Sequence, residues 1–182
     1  DSLTKQVITG DGWPEDLSDL AFKECQFEQV SFAGRALQES EFERCVFKHC
    51  NFASAQFRQV KFQKCEFYDK STEQGPIFKF AVLQDCEFDH CDLTLCDFSR
   101  SEFYLSRLHE CQLTGANFQG AGATKTIGNH VELSEAAITD CNLAYANLAG
   151  SNMMEVDFSG SRMSHVRLDG ANLTAAILVD CE

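Results

Sequence analysis

Glu41-Phe42-Glu43-Arg44-Cys45-Val46-Phe47-Lys48-His49-Cys50-Asn51-Phe52-Ala53-Ser54-Ala55-Gln56-Phe57 decides the fold. A phenylalanine returns at every fifth residue, and a small residue stands two places before it. Outward from this stretch the same phase holds Phe22, Phe27, Phe32, Phe62 and Phe67. It resumes after one break at Phe78, Phe88, Phe98, Phe103, Phe118 and Phe158. Only Phe80 of the sixteen phenylalanines stands off it. Chance would spread them over all five phases, so the pattern is an architectural repeat.

A period of five fits neither the helix period nor strand alternation. A unit with two apolar positions cannot bury them alone and has to stack on its neighbours. Call the large residue i and the small one i−2. Each unit then turns one corner, points both of these side chains inward and leaves three outward. Four units close a square coil of twenty residues, the interval that separates Cys25, Cys45 and Cys65. These three are expected in one inner column.

Ten cysteines would ordinarily suggest disulfides or a metal. Here all ten, Cys25, Cys45, Cys50, Cys65, Cys86, Cys91, Cys96, Cys111, Cys141 and Cys181, occupy the i−2 position. Ala55, Val60, Ala81, Ser101 and Ala116 fill the same position elsewhere. Cysteine is therefore read as a small packing residue, which free thiols suit. Disulfide or metal chemistry is the lesser alternative. Reduced thiols in that number point to a cytoplasmic setting.

The 182 residues carry a formal charge of −13 and are 44% hydrophobic. That balance disfavours nucleic acid or an anionic membrane as a direct ligand and favours partners with basic surfaces. No apolar run approaches a membrane span. Residues 1–67 hold 8 basic and 11 acidic residues, leaving a net −10 for residues 68–182. The outward acidic positions are Asp85, Glu87, Asp89, Asp92, Asp97, Glu102, Asp140, Glu155, Asp157 and Asp169. No phosphate-binding glycine loop, HExxH or nucleophile elbow occurs. The five histidines are scattered and read as surface residues, and the filled axis leaves no substrate pocket. The expectation is a protein that is not an enzyme and carries no cofactor or metal.

Ala116-Asn117-Phe118, Ala146-Asn147-Leu148 and Ala171-Asn172-Leu173 resemble the A(D/N)LxX unit of the pentapeptide-repeat family. The resemblance runs from about Leu17 to Cys181. It implies an all-β fold, a right-handed quadrilateral β-helix, with residues 17–182 forming one solenoid. Residues 1–16, with Trp13 and Pro14, are expected to cap its N-terminal end. The other end stops in mid-repeat at Cys181-Glu182. Either residues are missing from the chain or a partner subunit covers that strand edge, as in a homodimer.

Three departures mark the lattice. Arg35 takes a small-residue position, and a local bulge turning it outward is expected because an unpaired buried guanidinium is too costly. The polar stretch Tyr68-Asp69-Lys70-Ser71-Thr72-Glu73-Gln74-Gly75 reads as a projecting loop. A second loop is read over residues 124–135, opening Thr124-Lys125-Thr126-Ile127-Gly128-Asn129-His130.

Cys65-Glu66-Phe67-Tyr68-Asp69 with its polar loop, and Ile138-Thr139-Asp140-Cys141-Asn142-Leu143-Ala144-Tyr145-Ala146-Asn147, resemble the Qnr quinolone-resistance proteins. The resemblance implies DNA gyrase, and topoisomerase IV beside it, as partners. It also implies a rod that mimics duplex DNA and protects the enzyme through its two loops. At about 4.8 Å per coil the rod is on the order of 36 Å long. That gives roughly one net charge per 2.8 Å against about 1.7 Å for duplex DNA. The competing reading is an interaction scaffold with an unrelated partner, because a fold alone does not assign a function.

Overall fold

The computed structural model describes residues 2–10, 17–123, 125–127, 130–132 and 136–182. Three-residue strands alternate with corners, and strands pair in parallel with those one coil away. The longest sheet has seven strands and is centred in turn on Leu3, Phe22, Phe42, Phe62, Phe88, Leu108 and Ile138. A second side stacks Ile8, Phe27 and Phe47, and a fourth stacks Leu37, Phe57 and Leu83. The third, bearing Phe32, Phe52 and Phe78, is joined by single bridges such as Ser31–Asn51 and Asn51–Ile77. The sides are named below after Phe22, Phe27, Phe32 and Leu37, which follow one another in a single coil. The fold is the four-sided β-helix that the resemblance implies. Among the described residues no helix is long and apolar enough to cross a membrane.

The axis is a column of rings. Phe22 stacks on Phe42 at 4.9 Å, Phe27 on Phe47 at 4.8 Å and Phe52 on Phe78 at 4.5 Å. These separations match strand spacing in a sheet, so ladder hydrogen bonds and ring stacking are satisfied together. Within a coil, neighbouring sides meet edge to face, as Phe22 and Phe27 do at 5.3 Å.

Nine cysteines are buried, Cys181 is half-buried, and all ten are free thiols. The column begun by Cys25, Cys45 and Cys65 continues through Cys91, Cys111 and Cys141. Each of the last five thiols donates to the carbonyl of a large residue one coil back, as Cys65 does to Phe42 at 3.2 Å and Cys111 to Phe88 at 3.3 Å. Ser106 and Ser161 make the same bond, to Leu83 and Ile138. Position i−2 thus suits a small side chain, which Cys, Ser and Ala all supply, and Cys and Ser add a hydrogen bond to the neighbouring coil.

Two expectations are corrected. Arg35 causes no bulge: Ala36 and Leu37 keep register with Gln56 and Phe57, and the Arg35 amide bonds to Phe32 like other i−2 residues. The side chain is half-buried, so the arginine is accommodated without bending the ladder. The N-terminal segment is not all cap. Ser2–Thr4 and Val7–Thr9 pair in parallel with Ala21–Lys23 and Gln26–Glu28, so two sides of a coil already stand ahead of residue 17. Leu3 and Ile8 are five residues apart and take the inward place that Phe takes later. Trp13 and Pro14 lie outside the described residues.

Candidate interaction surface

Outside the two loops, the described coils turn their corners through the residue at i+2, which lies in the left-handed region. The φ value is 54° at Glu24, 53° at His49 and 60° at Phe80. An L residue sits there at a cost of about 1–2 kcal/mol, largely avoided by glycine. No Val, Ile or Thr occupies such a corner among the described residues, since β-branching makes positive φ prohibitive. Corners therefore display side chains that are not β-branched.

Position i−1 has its own rule. The side chains of Asn51, Asp97, Asn147 and Asp157 accept the backbone amide two residues on, at 3.0, 2.9, 3.1 and 2.8 Å. This is an Asx turn, and it gives the Asn/Asp preference of the repeat a physical cause. Asp92 does the same for Thr94. Three of the acidic residues read as partner-facing thus also brace the coil.

The first loop is an insertion of six residues. Phe62 pairs with Phe88, twenty-six residues on, where Phe42 pairs with Phe62 after twenty. Asp69 and Gln74 close it as an antiparallel bridge. The Asp69 carboxylate accepts the Ser71 amide at 2.8 Å and the Ser71 hydroxyl at 2.6 Å, and stands 3.2 Å from His49 Nε2. The Ser71 bonds, with His49 adding to them, hold the Asp69 carboxyl below the usual carboxylate range. Lys70, Ser71, Thr72, Glu73 and Gln74 are exposed, while Tyr68 is half-buried. Gly75 anchors the return: a Cβ there would meet the Leu95 carbonyl carbon at 2.5 Å. Pro76 then fills the buried i−2 place.

The second loop adds ten residues, because Leu108 pairs with Ile138, thirty residues on. Lys125–Ile127 and His130–Glu132 form an antiparallel pair. Thr124, Gly128, Asn129 and residues 133–135 lie outside the described residues. The first loop leaves between the Phe27 and Phe32 sides and the second between the Leu37 and Phe22 sides. They are rooted at diagonally opposite corners, so the structure does not gather them into one patch.

The acidic residues are likewise spread over four sides. Glu87 and Asp157 share one row of the Phe22 side with Arg107 and Ala137 between them. Asp85 and Glu155 stand on the corner from which the second loop springs. Glu102 is exposed on the Leu37 side, and Asp169 is exposed on the Phe32 side, 3.4 Å from Arg167. The densest group is the corner after the Phe22 side. His90 Nδ1 is 2.9 Å from Asp89 and its Nε2 is 2.6 Å from Glu110. His109 lies 3.4 Å from Glu110 and 3.5 Å from Asp140. Asp140 folds over Gly160, where a Cβ would stand 2.2 Å from its Oδ1. The sequence reading passed over Glu110 and the histidines as scattered. One coil length separates His90 from Glu110, and the thirty-residue step separates Glu110 from Asp140, which is the signal that finds them.

The family described as Pentapeptide repeats matches in eight copies, over residues 25–63, 81–120 and 132–170. The chain belongs to the pentapeptide-repeat family. This pentapeptide-repeat protein is similar over its whole length to the full-length structure of QnrB1, a plasmid-mediated fluoroquinolone resistance protein. The two are 25% identical with a TM-score of 0.65, and the match covers 86% of QnrB1. A trypsin-treated QnrB1 variant gives 25% identity and a TM-score of 0.64, covering 98% of this chain and 84% of that one. No curated protein sequence matches the chain.

Proposed function

We propose that this pentapeptide-repeat protein binds type II topoisomerases, DNA gyrase and topoisomerase IV, and protects them from quinolones or related poisons. The observation that carries this reading is the whole-length likeness to a fluoroquinolone resistance protein. The charge supports it. A narrow rod with a net −13, dense in carboxylates on the corner holding Asp89, Glu110 and Asp140, offers a basic DNA-binding surface the sign of charge it is built to hold. In this reading the protein acts in the cytoplasm by binding alone, with no catalytic step and no cofactor. Because the loops root at opposite corners, the partner contacts them on two flanks of the rod, as a cleft would.

The test is gyrase supercoiling in the presence of a fluoroquinolone, with the protein titrated in. Restored supercoiling that is lost when Lys70–Gln74 are replaced by a short glycine turn supports protection through the first loop. Inhibition without rescue keeps topoisomerase binding and removes protection. No effect from folded protein leaves the interaction scaffold as the better reading.

A further inference from the structure

The Phe32 side differs from the other three. Its outward residues include Lys79, Arg100 and Arg167 against Asp97 and Asp169, a slight cationic excess on a chain whose net charge is −13. Among the described residues each of the other sides carries an acidic surplus. The cations cluster around one ring. Lys79 Nζ lies 5.5 Å and the Arg100 guanidinium 5.7 Å from the centre of Phe80. Neither has a carboxylate within 4.0 Å among the described residues, whereas Arg167 is held by Asp169.

Phe80 is the one phenylalanine off the lattice, and packing does not account for it. It is 46% exposed at φ +60°. Gly34, Gly120, Gly150 and Gly170 take the same corner at other levels, so the fold accepts glycine there and gains nothing internal from a ring. Such an outlier points outward, toward a contact. Ile77, three residues earlier on the same side, is also 46% exposed. Beyond Arg100 the glycine corners leave a shallow recess of about 520 Å³, lined by Lys79, Arg100, Gln119, Gly120 and Gly150 together with Asp169, which pairs with Arg167.

We propose that Phe80, Ile77, Lys79 and Arg100 form a docking site for a partner-protein segment that presents Asp or Glu carboxylates beside an apolar side chain. The ring and Ile77 take the apolar group, and the two cations on neighbouring coils take the carboxylates. A short acidic segment brings few charges and gains the apolar contact. A nucleic acid brings a continuous polyanion up to a strongly acidic rod and is repelled by its other sides. Ile77 borders the root of the first loop, whereas Phe80, Lys79 and Arg100 lie away from both loops and from the acidic corner, and the proposal does not depend on the topoisomerase reading.

The test is selection of a random displayed-peptide library on the immobilised full chain, with the Phe80→Gly protein as counter-bait. Glycine suits this corner, so lost binding reports the missing ring rather than unfolding, which circular dichroism checks. The expected result is enrichment of peptides pairing Asp or Glu with an apolar residue. Their affinity by fluorescence anisotropy should fall tenfold or more in Phe80→Gly and in Lys79→Ala/Arg100→Ala. No enrichment over the counter-bait, or winners without carboxylates, overturns the proposal. So does displacement of the peptides by duplex DNA that itself binds the site. Self-association of the chain that Phe80→Gly abolishes also overturns it, in favour of a second copy as the occupant.

Discussion

Replacing Phe47 by alanine tests the packing account where it is most exposed to refutation. Phe47 is 1% exposed, stacks on Phe27 at 4.8 Å and on Phe67 at 4.6 Å, and meets Phe32, Phe42, Phe52 and Phe62 edge-on. Truncating a buried phenylalanine costs about 3–5 kcal/mol through lost transfer energy and the cavity left behind. Two full stacking partners, each worth about 0.5–1.5 kcal/mol beyond area, place Phe47 at the upper end of that range. In a solenoid each coil touches only its neighbours, so the cavity weakens both interfaces of one coil and cannot be shared around a globular core. Guanidinium unfolding followed by far-ultraviolet circular dichroism measures the loss. Phe47→Leu keeps most of the volume and should cost less, about 1–2 kcal/mol. Phe80→Ala, on the outside, should stay within about 0.5 kcal/mol. A Phe47→Ala cost below about 1 kcal/mol, or one no larger than that of Phe80→Ala, would refute the reasoning.

The remaining predictions concern the loop and the thiols. Gly75→Ala drives a methyl into the Leu95–Cys96 backbone and should cost about 1–3 kcal/mol by overpacking, read in the same unfolding assay. Asp69 has a depressed folded-state pKa, so its contribution to the loop is present above the unfolded carboxylate pKa and lost as pH falls through the folded one. The protection of the Ser71 amide, its exchange rate relative to the intrinsic rate at each pH, should therefore fall on acidification, and Asp69→Asn should remove most of that pH response. Burial pushes the Cys50 and Cys86 thiols up to about 12, and a thiol is a poor nucleophile until it ionises. Ellman's reagent should accordingly label the half-buried Cys181 in native protein and the other nine only on unfolding.

The lattice of Phe47 and Cys45 was legible because a solenoid core is strictly periodic: each inward position sees the same environment, so residue type repeats with geometry. The twenty-residue square coil and the column of Cys25, Cys45 and Cys65 followed from that spacing, and the β-helix followed from the resemblance to the pentapeptide-repeat family. What stayed hidden was whatever depends on which coil lies above which. The break from Phe67 to Phe78 showed as an odd spacing, but only the pairing of Phe62 with Phe88 reveals six inserted residues. Leu3 and Ile8 escaped because they replace phenylalanine and stand one residue out of phase with Phe22 and Phe27. The expected bulge at Arg35 assumed that every i−2 side chain is sealed, whereas this one is half-buried without disturbing the ladder. The acidic residues were identified as outward but not sorted onto sides, so the cationic excess around Phe80 and the chain from Asp89 to Asp140 went unseen. Both require adding the loop insertions to the coil length before residues can be aligned.

The central claim is that the acidic rod occupies the surface on which a type II topoisomerase holds DNA. The most direct measurement is equilibrium binding of the labelled protein to DNA gyrase, with unlabelled duplex DNA titrated as competitor. The account predicts saturable binding that weakens as salt rises and is displaced by duplex DNA. Binding unaffected by saturating DNA, or no binding by protein shown to be folded, would contradict it.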